Sequence, residues 1–193
     1  MAVDFRPPSS GNYSKTLGPG DAHHLRDIEK DPSSVGRYYR KIVDCTKQGL
    51  EKLPSVIPGY TEYELLGLGW HQGWNDRVTD PFVDEYEYNL ANFIRDIRKS
   101  LGKPSLPVVI ADTGIGGFKE RDSKALDLMR AQRNVAHMPE FRDNVFCVRT
   151  MAFYRARSQS PTEQIYHWNG NAETYYLIGH TMGMAMKDLL AAK

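Results

Sequence analysis

Apolar residues at Val35, Tyr38, Tyr39, Ile42, Val43, Leu50 and Leu53 recur with the spacing of one helical face. Ser33 or Ser34 stands where an N-cap is wanted, so the first predicted element is a helix starting at about residue 35. Tyr63 to Trp70, YELLGLGW, is a short apolar run without polar alternation after Pro58-Gly59, and it predicts a strand buried on both faces. Asp80-Pro81 announces a second helix: an oxygen-bearing cap, proline at the first helical position, and the acids Asp84 and Glu85 in the first turn. Its predicted core face is Tyr86, Leu90, Phe93, Ile94, Ile97 and Leu101, and Gly102 and Pro104 end it.

Further along, PVVIA (107–111) predicts a second buried strand running into the loop DTGIGG. A helix carrying Leu126, Met129, Arg133 and Ala136 follows and stops at Pro139, and Val145 to Val148 makes a third strand. The last helix begins near Asn171 with Ala172, Tyr175, Tyr176, Gly179, Met182, Gly183 and Met186 on its predicted packing side. Helices alternating with strands predict an α/β fold with a parallel sheet. A sheet of this width is narrow for that class, and the first 34 residues, rich in Pro, Gly and Ser, read as loop. The chain length fits a single domain spanning 1–193.

Charge narrows the function. Lys and Arg number 25 against 24 Asp and Glu, and the two signs are interspersed, so neither nucleic acid nor an anionic membrane surface is an expected partner. No apolar run is long enough to span a bilayer, and MAVDFRPPSS lacks the regions of a signal peptide. Cys45 and Cys147 have no ligand partner at short spacing and read as two buried reduced thiols. His23, His24, His71, His137 and His180 lack the spacing of a metal site. DTGIGG does not match a phosphate-binding glycine pattern and reads as a rim loop, leaving a nucleotide-binding domain a weak alternative.

In open parallel sheets, active groups occupy loops past the carboxyl ends of strands. The loop Trp70-His71-Gln72-Gly73-Trp74-Asn75-Asp76 holds carboxamides, Gln72 or Asn75, that can donate to an oxygen becoming negative during acyl transfer. The loop Glu163-Gln164-Ile165-Tyr166-His167-Trp168-Asn169 holds a histidine able to act as general base, with a carboxylate nearby to orient it. Each motif has a plainer reading: tryptophans around a tight turn, and a histidine packed among aromatics.

Together, WHQGWND after a strand and YHWNGNAETYYLIG leading into the last helix resemble the sialate O-acetylesterase-like carbohydrate esterases of the SGNH hydrolase class. AVDFRPPSSG and PGYTEYELLGLGWHQGWND resemble a bacterial branch of that family, and the likeness runs from Ala2 almost to the C-terminus. The resemblance implies a three-layer α/β/α sandwich with a flavodoxin-like parallel sheet. It places Gln72 and Gly73 on the family's amide-bearing block, Gln72 as oxyanion donor, and His167 on its catalytic histidine. Trp70, Gly73, Trp74, Asn75 and Trp168 are then the expected substrate-binding positions.

The implied reaction is ester hydrolysis by a serine on an acetylated carbohydrate, with no cofactor and no metal, in a family whose members suggest a secreted or periplasmic setting. The family's serine block and glycine block are expected upstream of Met1, together with the first two strands, so the chain alone is expected to be inactive or impaired. Ser9, Ser10, Ser158 and Ser160 do not follow a predicted strand in the sharp turn that exposes a nucleophile. Gln164 stands where the family commonly has aspartate; Glu163, one residue away, is the candidate orienting acid, and Trp74 replaces a common glutamate. An open sheet edge predicts self-association. The alternative is a non-catalytic carbohydrate-binding or partner-completing module using Trp70, Trp74, Tyr166 and Trp168.

Overall fold

In the computed structural model, residues 36–78 and 80–192 are described, except for the side chains of Ile165 and Tyr166. The expected N-terminal loop, the caps Ser33 and Ser34, and His23, His24, Ser9 and Ser10 lie outside the described residues. In chain order the elements are α1 (Arg37–Val56), β1 (Leu68–Trp70), α2 (Asp80–Ser100), β2 (Val108–Ala111), α3 (Ser123–His137), β3 (Val145–Val148) and α4 (Ala172–Ala191). The strands form a parallel sheet in the order β1-β2-β3, with Trp70 opposite Ile110 and Ile110 opposite Cys147. This is a mixed α/β architecture of the flavodoxin-like sandwich type.

Two compact units divide the described chain. In one, α1 meets the later part of α2: the Tyr39 hydroxyl donates to the Asp96 carbonyl at 3.0 Å, and its ring meets Phe93 edge-on at 6.3 Å. The other unit holds the sheet, α3, α4 and the start of α2. Its central strand β2 is buried at every position, as a strand paired on both sides must be.

The predicted first strand shortens to its last three residues. Tyr63 and Leu66 are half exposed rather than buried on both faces, because β1 pairs only with β2 among the described residues, and the chain before it runs without a strand partner. Gly67 and Gly69 leave room for α4: a Cβ on Gly67 would collide with Met186, and one on Gly69 would press on Met182 at 3.3 Å. On the opposite face, the Cys147 thiol lies within electrostatic reach of Arg133 on α3, and burial pushes its pKa up to about 12. Cys45, by contrast, is exposed on α1, so only one of the two thiols is sheltered.

Helix ends follow their local signals better than helix faces do. Gly102 takes the left-handed exit after α2, at φ 64°, and the Asn171 carboxamide oxygen caps α4 by accepting from the Thr174 amide at 3.1 Å. The face expected on α4 is rotated. Thr174 and Ile178 are buried, whereas Tyr175, Tyr176, Gly179 and Gly183 are exposed, because the methionine side of the helix fills the space over the β1 glycines. On α3 the buried residues are Ala125, Leu128, Met129, Ala131, Gln132, Val135 and Ala136, while Leu126 turns outward.

Candidate functional site

Two loops from distant parts of the chain meet beyond the carboxyl ends of the strands. His71, the first residue after β1, sets its ring against Trp168 with centroids 6.3 Å apart. Trp168 is 2% exposed and clusters with Ala111, Ile115 and Ile178, and Trp74 packs against the same cluster. The motif loops around Gln72 and His167 therefore share one rim of the sheet.

Local backbone chemistry explains how the second loop presents His167. Trp168 and Asn169 adopt left-handed conformations at φ 49° and 55°, which cost about 1–3 kcal/mol each for non-glycine residues. The consecutive left-handed residues drive the indole into the core while His167 stays exposed. Burial of the indole offsets that strain; the Asn169 carboxamide is buried beside it, its Nδ2 donating to the Arg155 carbonyl at 3.0 Å while its Oδ1 meets no donor among the described residues. The Asn169 amide also donates to the Gln164 carbonyl at 3.0 Å, closing the turn.

The first loop is held by a polar network. Gln72 is half-buried; its Nε2 donates to Asp76 Oδ2, and its Oε1 accepts from the Tyr86 hydroxyl at 3.2 Å. The Gln72 carbonyl accepts from Tyr86 at 2.9 Å and from Gln132 Nε2 at 2.7 Å. Burial, reinforced by the charge of Asp76, holds the Tyr86 pKa far above the ordinary phenol value, so Tyr86 remains a neutral donor. Gly73 sits at φ 146°, and a Cβ there would meet Gln132 at 2.9 Å and Leu128 and Thr113 at 3.0 Å, so the turn accepts only glycine without displacement.

The remaining expected site residues divide. Trp70 is buried at the end of β1, and Asn75 is half-buried in the same turn as Gln72. The Arg77 guanidinium covers one face of the Trp74 ring at 3.9 Å, and Trp168 lies in the core, where its indole offers no face for sugar stacking. Glu163 is exposed and pairs with Arg157 at 3.9 Å. The Tyr166 side chain lies outside those described. Ser160, one of the considered nucleophiles, donates to the Ala156 carbonyl at 3.0 Å and accepts from Asn171 at 3.1 Å.

Sequence reasoning missed Asp112 and Gln132. Asp112, fully buried after β2, pairs with Arg133 at 3.0 Å and accepts from the Thr150 amide at 2.8 Å. Gln132 is equally buried, and a glutamine one helical turn after Leu128 and before Ala136 was the signal that could have revealed it. Among the described residues no group of three or more His, Cys, Asp or Glu is arranged to hold a metal ion, and no helix is long and apolar enough to cross a membrane.

No curated protein and no solved structure matches the chain significantly. A family model described as carbohydrate esterase, sialic acid-specific acetylesterase, matches residues 24–187. That span covers most of the chain, and with the strand-end loops described above it means that the chain belongs to the sialic acid-specific acetylesterase family of carbohydrate esterases.

Proposed function

We propose that this chain carries the histidine and oxyanion portion of a carbohydrate O-acetylesterase. Membership in an esterase family supports a carbohydrate ester as substrate. The contact of His71 with Trp168, which brings the Gln72 and His167 loops to one rim, is the observation that carries the assignment of roles. Gln72 donates an N–H to the oxygen that becomes negative when the acetyl carbonyl is attacked. His167, exposed beside that rim, takes the proton of the attacking serine hydroxyl and returns it to the departing sugar oxygen. Water then repeats the attack on the acetyl-serine, releasing acetate.

The attacking serine is not Ser160, whose hydroxyl is engaged on both sides by Ala156 and Asn171. We assign no nucleophile within the 193 residues and propose that this polypeptide alone is inactive. Two measurements test the reading. Purified 1–193 should not hydrolyse p-nitrophenyl acetate above the buffer rate; robust turnover abolished by His167→Ala would overturn the inactivity. O-acetylated N-acetylneuraminic acid, left intact, should shift the NMR signals of both the Gln72 amide and the His167 imidazole. A ligand that moves neither removes the esterase roles.

A further inference from the structure

We infer that Tyr86, Asp76 and Gln132 form a polarity relay that sets which way the Gln72 carboxamide faces, making them positioning residues for the oxyanion donor. The inference rests on the role proposed for Gln72. It concerns a property that family membership does not specify: the choice between two orientations of an amide whose oxygen and nitrogen ends are nearly equal in shape.

The relay begins at a group with one sense only. The Thr113 backbone N–H can only donate, and it meets Gln132 Oε1 at 2.9 Å, which fixes the flip of the buried Gln132 amide. The NH2 of Gln132 therefore faces the Gln72 carbonyl at 2.7 Å and the Tyr86 oxygen at 3.3 Å. With that donor directed at its oxygen, Tyr86 sends its proton toward Gln72, shared between the carbonyl at 2.9 Å and Oε1 at 3.2 Å. Gln72 then presents oxygen to Tyr86 and nitrogen to Asp76, whose carboxylate only accepts.

The two ends agree, and each disfavours the flipped amide. A flip would bring the Gln72 NH2 to a Tyr86 oxygen that already accepts from Gln132, and would set the Gln72 oxygen against the Asp76 carboxylate. One Nε2 proton is spent on Asp76, and among the described residues the other meets no acceptor. That second proton is the one available to a substrate oxygen. A flipped glutamine in the same place would show that oxygen a carbonyl, which repels it. The relay thus turns a side chain of ambiguous polarity into a preorganised donor.

The test uses 15N-labelled 1–193. In the wild type the Gln72 NH2 should give one set of two well-separated proton signals, the one facing Asp76 lying downfield. Tyr86→Phe removes the hydroxyl and should produce a second set or averaging, with affinity for O-acetylated N-acetylneuraminic acid weakened about tenfold, the loss of one hydrogen bond. Should Tyr86→Phe not fold, Asp76→Ala decides by the same readouts. A Gln72 amide that averages like a free side chain in the wild type, or is unchanged in both Tyr86→Phe and Asp76→Ala, overturns the relay. A locked amide that ignores the sugar leaves the relay standing and removes the esterase role of Gln72 instead.

Discussion

Thr150 grips Asp112 with both its amide and its side chain: the amide donates to the carboxylate at 2.8 Å, and the hydroxyl donates to the Asp112 carbonyl at 2.7 Å and lies 3.1 Å from the carboxylate. The first residue after β2 is thereby fastened to the loop after β3, with Arg133 of α3 neutralising the buried charge at 3.0 Å. These contacts hold two strand-end loops at the side of the sheet where the candidate site lies.

Replacing Asp112 by Ala leaves Arg133 without its carboxylate and the Thr150 amide without its acceptor. A loss of about 3–5 kcal/mol is expected, the range for breaking a buried ion pair from one side. Urea unfolding of Asp112→Ala measures it. A midpoint equal to that of the wild type would show that the pair contributes nothing net.

Gly73→Ala adds a methyl group against Gln132, Leu128 and Thr113 at a left-handed φ. Strain and overpacking together should destabilise the protein by about 1–3 kcal/mol. Because the turn carries Gln72, the amide signals of Gln72 should move in the same variant. Unchanged melting with unchanged amide signals would contradict the tight packing of the turn.

His71 gives the protein a pH dependence of known sign. Desolvation of its ring, which packs beside Trp168 although the residue keeps an exposed edge, lowers its pKa below the ordinary 6.5, against a smaller raising effect of the Asp112 charge. The unfolded chain therefore binds the proton first, so this residue's contribution to stability is complete above about pH 6.5 and declines as the pH falls through the lower folded value. Thermal melts between pH 7.5 and 5 should fall more steeply for the wild type than for His71→Asn. Parallel curves would show that the imidazole stays as solvated as in the unfolded chain.

Among the described residues the outer edges of β1 and β3 are unpaired, and Leu66, Phe146 and Tyr176 are exposed in the same unit. Open ladders with apolar neighbours template pairing between chains. Sedimentation of purified 1–193 should show mass rising with concentration, and a monodisperse monomer across the range would contradict it.

Much of this molecule can be read locally. α2 starts at Asp80, one residue before the expected first helical position, Gly102 closes it and Asn171 caps α4, because a cap acts within one turn of the backbone it serves. The apolar runs 108–111 and 145–148 form strands as expected, and the family likeness of WHQGWND and YHWNGN points to the two loops that meet. Other features could not be read this way. Tyr86 looked like one more apolar position of α2, yet its hydroxyl is the centre of the network around Gln72.

By itself, then, the sequence determined the kind and order of the elements, their ends and the two loops that carry candidate chemistry. Only the tertiary structure decided which side of α4 is buried, how short β1 becomes, which carboxylate holds Arg133 and which way the Gln72 amide is held. The physical reason is range. Helical periodicity and capping arise from hydrogen bonds within a few residues, whereas Gln72 with Gln132 and Asp112 with Thr150 join residues 60 and 38 positions apart. Such partners are chosen by burial and by donor–acceptor sense, and these come into being only when the strands and helices have packed.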